Sequence, residues 1–331
     1  GLVFSALPNA ELLDVDVNNH NFDFANNIDP SSKQESADLS VKWDQDLSFG
    51  KLTAWALYSD IQNALGSDGT SASYGFFNND AFCQASAANL FNSGYALPAP
   101  QILFFGAPGV PPAAVFGAYG PTACDGTQYQ ERNQKDYSAE IRLSSNGDGR
   151  LSWLGGFYYL NIDREVGVNT GIDLGQGIVE SLYAPPGSTN PTEQVSWDNF
   201  TSDVYAVFAN LAFDVTDNFE AAVALRYDRE ERSVSNLVPT GARTQYFDFN
   251  PFDGPMGTNI FTGNAPLNAA LNPAINPTGQ IPDRDLTFSQ LQPKVSLSWK
   301  VNPHFTAYAN WGVGFKSGGF NNSGTAATID L

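Results

Sequence analysis

The sequence predicts an all-β protein, an antiparallel meander of about eight strands that forms part of a transmembrane β-barrel. Three observations predict it. Four times, two segments of about ten residues flank a turn of only a few residues, and segments of that length match strands that cross a bilayer. Long polar stretches, roughly 61–132, 164–200 and 230–286, separate one hairpin from the next. Aromatic side chains gather at both ends of the segments, with Ala, Val and Leu between them. Short periplasmic turns at one rim and long extracellular loops at the other are the organisation of outer-membrane barrels.

The turns are Ser48-Phe49-Gly50, Asn146-Gly147-Asp148-Gly149, Val215-Thr216-Asp217-Asn218 and Val301-Asn302-Pro303. In the first hairpin, about 37–47 and 51–60, Leu39, Val41 and Trp43 alternate with Ser40, Lys42 and Asp44. Leu52, Ala54, Ala56 and Tyr58 share one face of its second arm. In the second hairpin, about 134–145 and 150–163, Tyr137, Ala139, Ile141 and Leu143 oppose Ser138, Glu140, Arg142 and Ser144. The arm that follows is apolar on both faces, and Gly155-Gly156 predicts a bulge or close packing.

The third hairpin, about 201–214 and 219–229, sets Tyr205, Val207, Ala209, Leu211 and Phe213 on one face. After its turn, Phe219, Ala221, Val223, Leu225 and Tyr227 alternate with Glu220, Ala222, Ala224, Arg226 and Asp228. In the fourth, about 287–300 and 304–316, Leu291, Pro293, Val295, Leu297 and Trp299 oppose Gln290, Gln292, Lys294, Ser296 and Ser298. Pro293 cannot donate to a ladder, so a local bulge is expected there. In the last arm Phe305, Ala307, Ala309, Trp311, Val313 and Phe315 face one way, and Thr306, Tyr308, Asn310 and Lys316 the other. A partial strand is expected within 1–30, while 92–123 and 250–283 carry no strand or helix periodicity.

Trp43, Trp153, Phe213, Phe219, Trp299 and Phe305 lie near the short turns, and Tyr58, Tyr159, Tyr227 and Phe315 near the opposite ends. From Phe219 to Tyr227 the chain rises roughly 26 Å, which a tilt of about 40° projects to about 20 Å. That is close to the apolar band of roughly 25 Å between aromatic girdles. By the same alternation Glu140, Arg142, Arg226, Asp228, Lys294 and Lys316 face the lumen, where they contact a plug or line water.

Composition agrees. No apolar run of about 18 residues exists, which excludes a transmembrane helix but not a barrel. Sixteen Lys and Arg against 35 Asp and Glu leave a formal charge of -19, which argues against nucleic acid as a partner. Two cysteines and two histidines make a zinc or iron–sulfur site improbable, and no metal or other cofactor is expected. Cys83 and Cys124 share one long loop on the expected outer side. A disulfide there would close about 40 residues and contribute about 4 kcal/mol. The alternative is two unpaired buried thiols. Asp14-Val15-Asp16-Val17-Asn18 mimics the start of a calcium loop, but Asn19 stands where glycine is needed and Ala25 where an acid is needed. His20 and His304 receive no role. The first residues, Gly1-Leu2-Val3-Phe4, lack the basic and apolar regions of a signal peptide. No Ser/His/Asp set or phosphate-binding glycine loop is present, so catalysis is not expected.

Several strings resemble the barrel portion of TonB-dependent outer-membrane receptors. The strongest is YANWGVGFKSGGFN, with Gly314, Phe315, Lys316, Ser317, Gly318, Gly319, Phe320 and Asn321 at its core. FEAAVALRYDRE from Phe219 and WDNFTSDVYAVFANLAFDVTDN from Trp197 are also similar, as is the pairing of KDYSAEIRL from Lys135 with WLGGFYY from Trp153. The resemblance covers about residues 37–321 and implies one partial barrel domain over 1–331. Such barrels have 22 strands and a plug. The resemblance therefore implies a fragment of a longer receptor of the Gram-negative outer membrane, one that lacks the plug and the closing strands. Its implied partners are lipid, the receptor's own plug, the TonB complex and a small-molecule nutrient such as an iron–siderophore complex. A passive porin and a surface-exposed β-rich binding protein without transport remain the rival readings.

Overall fold

The computed structural model describes residues 27–68, 126–147, 149–171, 192–239 and 280–323, together with parts of the long connections. Twelve strands are present among the described residues. They are β1 (Ser31–Leu47), β2 (Gly50–Asp68), β3 (Gln101–Ile102), β4 (Ala114–Phe116), β5 (Thr127–Ser145) and β6 (Leu151–Gly171), followed by β7 (Thr192–Thr216), β8 (Phe219–Asn236), β9 (Ala242–Phe247), β10 (Asn259–Pro266), β11 (Arg284–Asn302) and β12 (Phe305–Gly312). Eight of them form one antiparallel sheet in the order β1-β2-β5-β6-β7-β8-β11-β12. This is the expected meander, with β1 and β12 as its edges. The expected partial strand in 1–30 reaches into the described residues only beyond residue 26, and Cys83 and Cys124 lie outside them.

The strands are longer than alternation suggested. β7 has 25 residues and β6 has 21, so the connections expected at 61–132, 164–200 and 230–286 shrink to 69–126, 172–191 and 237–283. The cause is visible in Asp163-Arg164-Glu165, which is fully paired in β6 yet polar on both faces. Period two disappears from a sequence when both faces of a strand meet water, although its backbone ladder continues. Two connections also contain short ribbons, β3 with β4 and β9 with β10, where no strand was expected.

Neither expected bulge forms. Pro293 pairs with Leu225 of β8 in unbroken register. Its carbonyl accepts from the Val313 N–H at 3.0 Å, so its missing donor faces β12. The ladder to β12 ends there, at Lys294 opposite Gly312. The proline thus marks the end of a neighbouring strand, and β12 stops four residues before the expected 316. Phe315 and Lys316 fall in an irregular segment.

Gly155 and Gly156 also stay in register, opposite Ala209 and Phe208. The close-packing alternative holds at Gly156, where an added Cβ would meet the Phe208 ring at 2.5 Å and the Ile141 carbonyl oxygen at 2.7 Å. The glycine leaves the space that the Phe208 ring occupies.

Burial is sparse. The small apolar cluster of Val195 and Val238, with Tyr183 and Trp197, sits at the turn-distal ends of the strands. There the connection after β6 folds across the sheet. Thr192 and Ala184 exchange hydrogen bonds of 2.8 and 3.0 Å, and the Asn169 amide donates to the Ser181 carbonyl at 3.0 Å. Leu182 lies where a Cβ on Gly167 would stand, and Glu180 reaches Lys33 of β1 at 2.6 Å. Nearby, the buried Tyr129 hydroxyl donates to Glu131 at 3.1 Å; burial first, and then the Glu131 charge, push this phenol up to about 12.

Gly156→Val in the full-length receptor should lower stability by about 1–3 kcal/mol through overpacking against Phe208. Gly155→Ala, whose new Cβ would find its nearest neighbour at 3.7 Å, should stay within about 0.5 kcal/mol. Urea unfolding followed by the heat-modifiable mobility of the barrel checks both.

Candidate functional site

The register sorts every strand of the sheet into two faces. On one lie Trp43, Ile141, Phe157, Leu211, Val223, Leu225, Leu297, Trp299 and Trp311, all exposed. Val223 is 55% exposed and Trp311 61%, values that belong to no soluble core. On the other face serine, threonine, charged residues and isolated aromatics line up strand by strand.

The apolar face is bounded by rings. Tyr58, Tyr137, Tyr159, Tyr205 and Tyr227 occupy β2, β5, β6, β7 and β8 in succession. Tyr58 pairs with Tyr137 at 5.0 Å between centroids, and Tyr159 with Tyr205 at 5.2 Å. Between these pairs the ring steps toward the short turns, since Tyr159 stands opposite Ala139 and Tyr227 opposite Val207. A level belt around tilted strands requires such a stagger. On the same face, the next position away from the turns is Asp60, Lys135, Asn161, Asp203 or Arg229 on each strand. Tyr159 donates to Asp203 at 2.8 Å and Tyr58 to Asp60 at 3.2 Å. The face therefore changes from apolar to polar or charged within one residue pair. Near the turns Trp43, Trp153, Phe213, Phe219, Trp299 and Phe305 form the second belt. Tyr137 and Tyr205 join the expected girdle, and Phe315 lies outside any strand.

The polar face gathers five of the six residues that alternation singled out. Arg226 is held by Asp228 in a bidentate pair, Nε to Oδ2 at 2.8 Å and Nη2 to Oδ1 at 2.7 Å. Gln292 of β11 also donates to the same buried carboxylate. The Arg226 guanidinium lies 5.8 Å from the Tyr158 ring and 5.9 Å from that of Phe208, within cation–π range. Tyr158 in turn stands 6.1 Å from Trp55. Glu140 and Arg142 pair at 3.3 Å, and Lys294 takes its place opposite Ala224. Lys316 does not join them, because the strand that would have oriented it ends at Gly312.

Three contributors escaped sequence reading. Asp198 of β7 is fully buried and accepts from Asn236 at 3.1 Å, from the Asn322 amide at 2.7 Å and from the Ser323 N–H at 3.2 Å. It anchors the segment 313–323, which carries GFKSGGFN away from β12 across the sheet. A contact spanning 124 residues leaves no local signal. Arg232, paired with Glu230, could have been found, since it extends the spacing of Arg226 and Asp228. Arg164 could not, because its neighbours show no alternation.

The family described as "TonB dependent receptor-like, beta-barrel" matches residues 5–330. The chain belongs to the TonB-dependent receptors. Among solved structures it is similar to the ferric yersiniabactin uptake receptor FyuA from Yersinia pestis, at 8% identity and a TM-score of 0.48, covering 85% of this chain and 28% of that one. It is also similar to the ferric citrate transporter FecA, with 12% identity, a TM-score of 0.46 and coverages of 86% and 27%. For the copper transporter OprC the identity is 12%, the TM-score 0.43 and the coverages 87% and 32%. The chain thus spans less than a third of each of these proteins. No curated protein matches it.

TonB-dependent receptors reside in the Gram-negative outer membrane, and the belt-bounded face is the one suited to lipid. Val223 lies midway between Phe219 and Tyr227. Val223→Arg should cost about 2–4 kcal/mol, whereas Asn210→Arg on the opposite face should cost less than about 1 kcal/mol. Urea titration of the full-length receptor refolded into lipid vesicles measures both.

Proposed function

We propose that this chain is the barrel portion of an energy-coupled receptor that takes up a scarce nutrient, such as an iron–siderophore complex, across the outer membrane. The observation that carries the reading is the family match over residues 5–330, on a sheet with one belted apolar face and one charged face. The charged face is the lumen in this reading. Glu140, Arg142, Arg226, Asp228 and Lys294 then line the interior, where a plug and a passing solute meet fixed charges. Further strands of the intact receptor pair with β1 and β12, because an open sheet edge cannot remain in hydrocarbon. The strand extensions beyond the tyrosine belt and the connections 69–126, 172–191 and 237–283 form the outer vestibule. The reading carries with it the disulfide expected between Cys83 and Cys124, both in the connection 69–126.

Transport in this reading needs the inner-membrane TonB complex. Cells that depend on the full-length receptor for nutrient-limited growth should therefore lose uptake of that nutrient when TonB is deleted. Uptake that continues at the same rate without TonB would point to a passive channel instead.

A further inference from the structure

We infer that the charged face carries a subsite for an oxyanion borne on a flat apolar group, roofed by the GFKSGGFN segment and read by Arg164 and Arg232. The inference rests on the lumen assignment proposed above. A cavity of about 450 Å³ lies between the sheet and Gly319-Phe320. Its floor includes Ile162 and Arg164 of β6, Phe200 and Ser202 of β7, and Arg232 of β8. The size falls in the range of small-molecule sites, and the mixture of apolar walls with a few polar groups is typical of them.

Its charge sets it apart. The chain carries 35 acidic residues against 16 basic ones, yet among the described residues two arginines and no carboxylate line this cavity. A cavity of similar size among the strand extensions is lined by Asp60, Asp163 and Glu165 together with Lys135. The Arg164 side chain makes no hydrogen bond or ion pair with the described residues. Arg232 gives Nε and Nη2 to Glu230, which leaves Nη1 beside Gly319 under the roof. Two buried acids stand near: Glu230, which takes those two Arg232 donors, and Asp198, whose oxygens are occupied by Asn236, Asn322 and Ser323. Two guanidinium groups with open donors can grip a carboxylate or phosphate, while Phe200 and Phe320 cover a ring attached to it. Asp198 holds the roof from below by binding Asn322 and Ser323, so closure over a ligand needs no further latch.

The test uses the full-length receptor in lipid nanodiscs, with benzoate, phenyl phosphate and neutral benzyl alcohol as probes and saturation-transfer NMR as the readout. Benzoate, phenyl phosphate or both should bind, and benzyl alcohol should bind at least about tenfold more weakly. The preferred anion tells carboxylate from phosphate. Arg164→Gln and Arg232→Gln, each checked for native heat-modifiable mobility, should each weaken the anion about tenfold. Equal binding of benzyl alcohol by the unaltered receptor, no anion binding, or anion affinity unchanged in both variants would overturn the subsite. The first two outcomes need no variant to fold. None of them touches TonB-dependent uptake, whose loss or persistence judges the proposed function separately.

Discussion

Hydrocarbon offers no hydrogen bonds, so a chain that crosses it in strands must pair each backbone N–H and C=O with a neighbouring strand. The sheet from β1 to β12 meets that demand with nearly unbroken register over long stretches, Leu151–Phe213 through Thr170–Gln194 being the longest. The rest of the structure follows from this ladder. Pairing fixes period two, and period two gives each strand one side for lipid and one for charge. Even Pro293 obeys it: the residue without a donor stands where β12 has already stopped asking for one.

The ladder also decides where the membrane must end. It continues past the tyrosine belt, so backbone pairing does not mark the boundary. Side chains do, through the step from Tyr58, Tyr137, Tyr159, Tyr205 and Tyr227 to Asp60, Lys135, Asn161, Asp203 and Arg229. Phenol rings suit that depth because they bury an apolar body and keep a polar tip, and two of these tips donate to the carboxylates above them. Beyond the step neither face is a lipid face, and the strand ends there hold buried residues such as Tyr129, Val195 and Val234. The same strands then build an extracellular rim, where the connection after β6 crosses toward β1 and the segment after β12 crosses toward Asp198.

The amphipathic part of the fold was legible because alternation is a local property. Phe219 to Asp228 could be read residue by residue, and Arg226 and Asp228 came with it. Legibility ended where alternation ended. Arg164-Glu165 reads as loop but is strand, and β7 begins at Thr192 although its first clear alternation starts near Tyr205. Pro293 and Gly155-Gly156 were read as interruptions, since a sequence shows the missing donor or side chain but not what stands opposite. Gly156 makes room for Phe208, and Pro293 faces a strand end. Lys316 was carried too far by extending a period past the end of its ladder. Asp198, Asn236 and Asn322 meet only in three dimensions, and no spacing rule brings them together.

The central claim is that one face of this sheet meets lipid and the other does not. Nitroxide scanning of positions 219–231 in the full-length receptor, reconstituted in bilayers, tests it most directly. Oxygen accessibility should alternate, high at Phe219, Ala221, Val223, Leu225 and Tyr227 with its maximum at Val223, and low at the residues between. At Arg229 and Glu231 access should pass to a water-soluble nickel chelate. A profile without period two, or one whose oxygen maxima fall on Ala222, Ala224 and Arg226, would contradict the account.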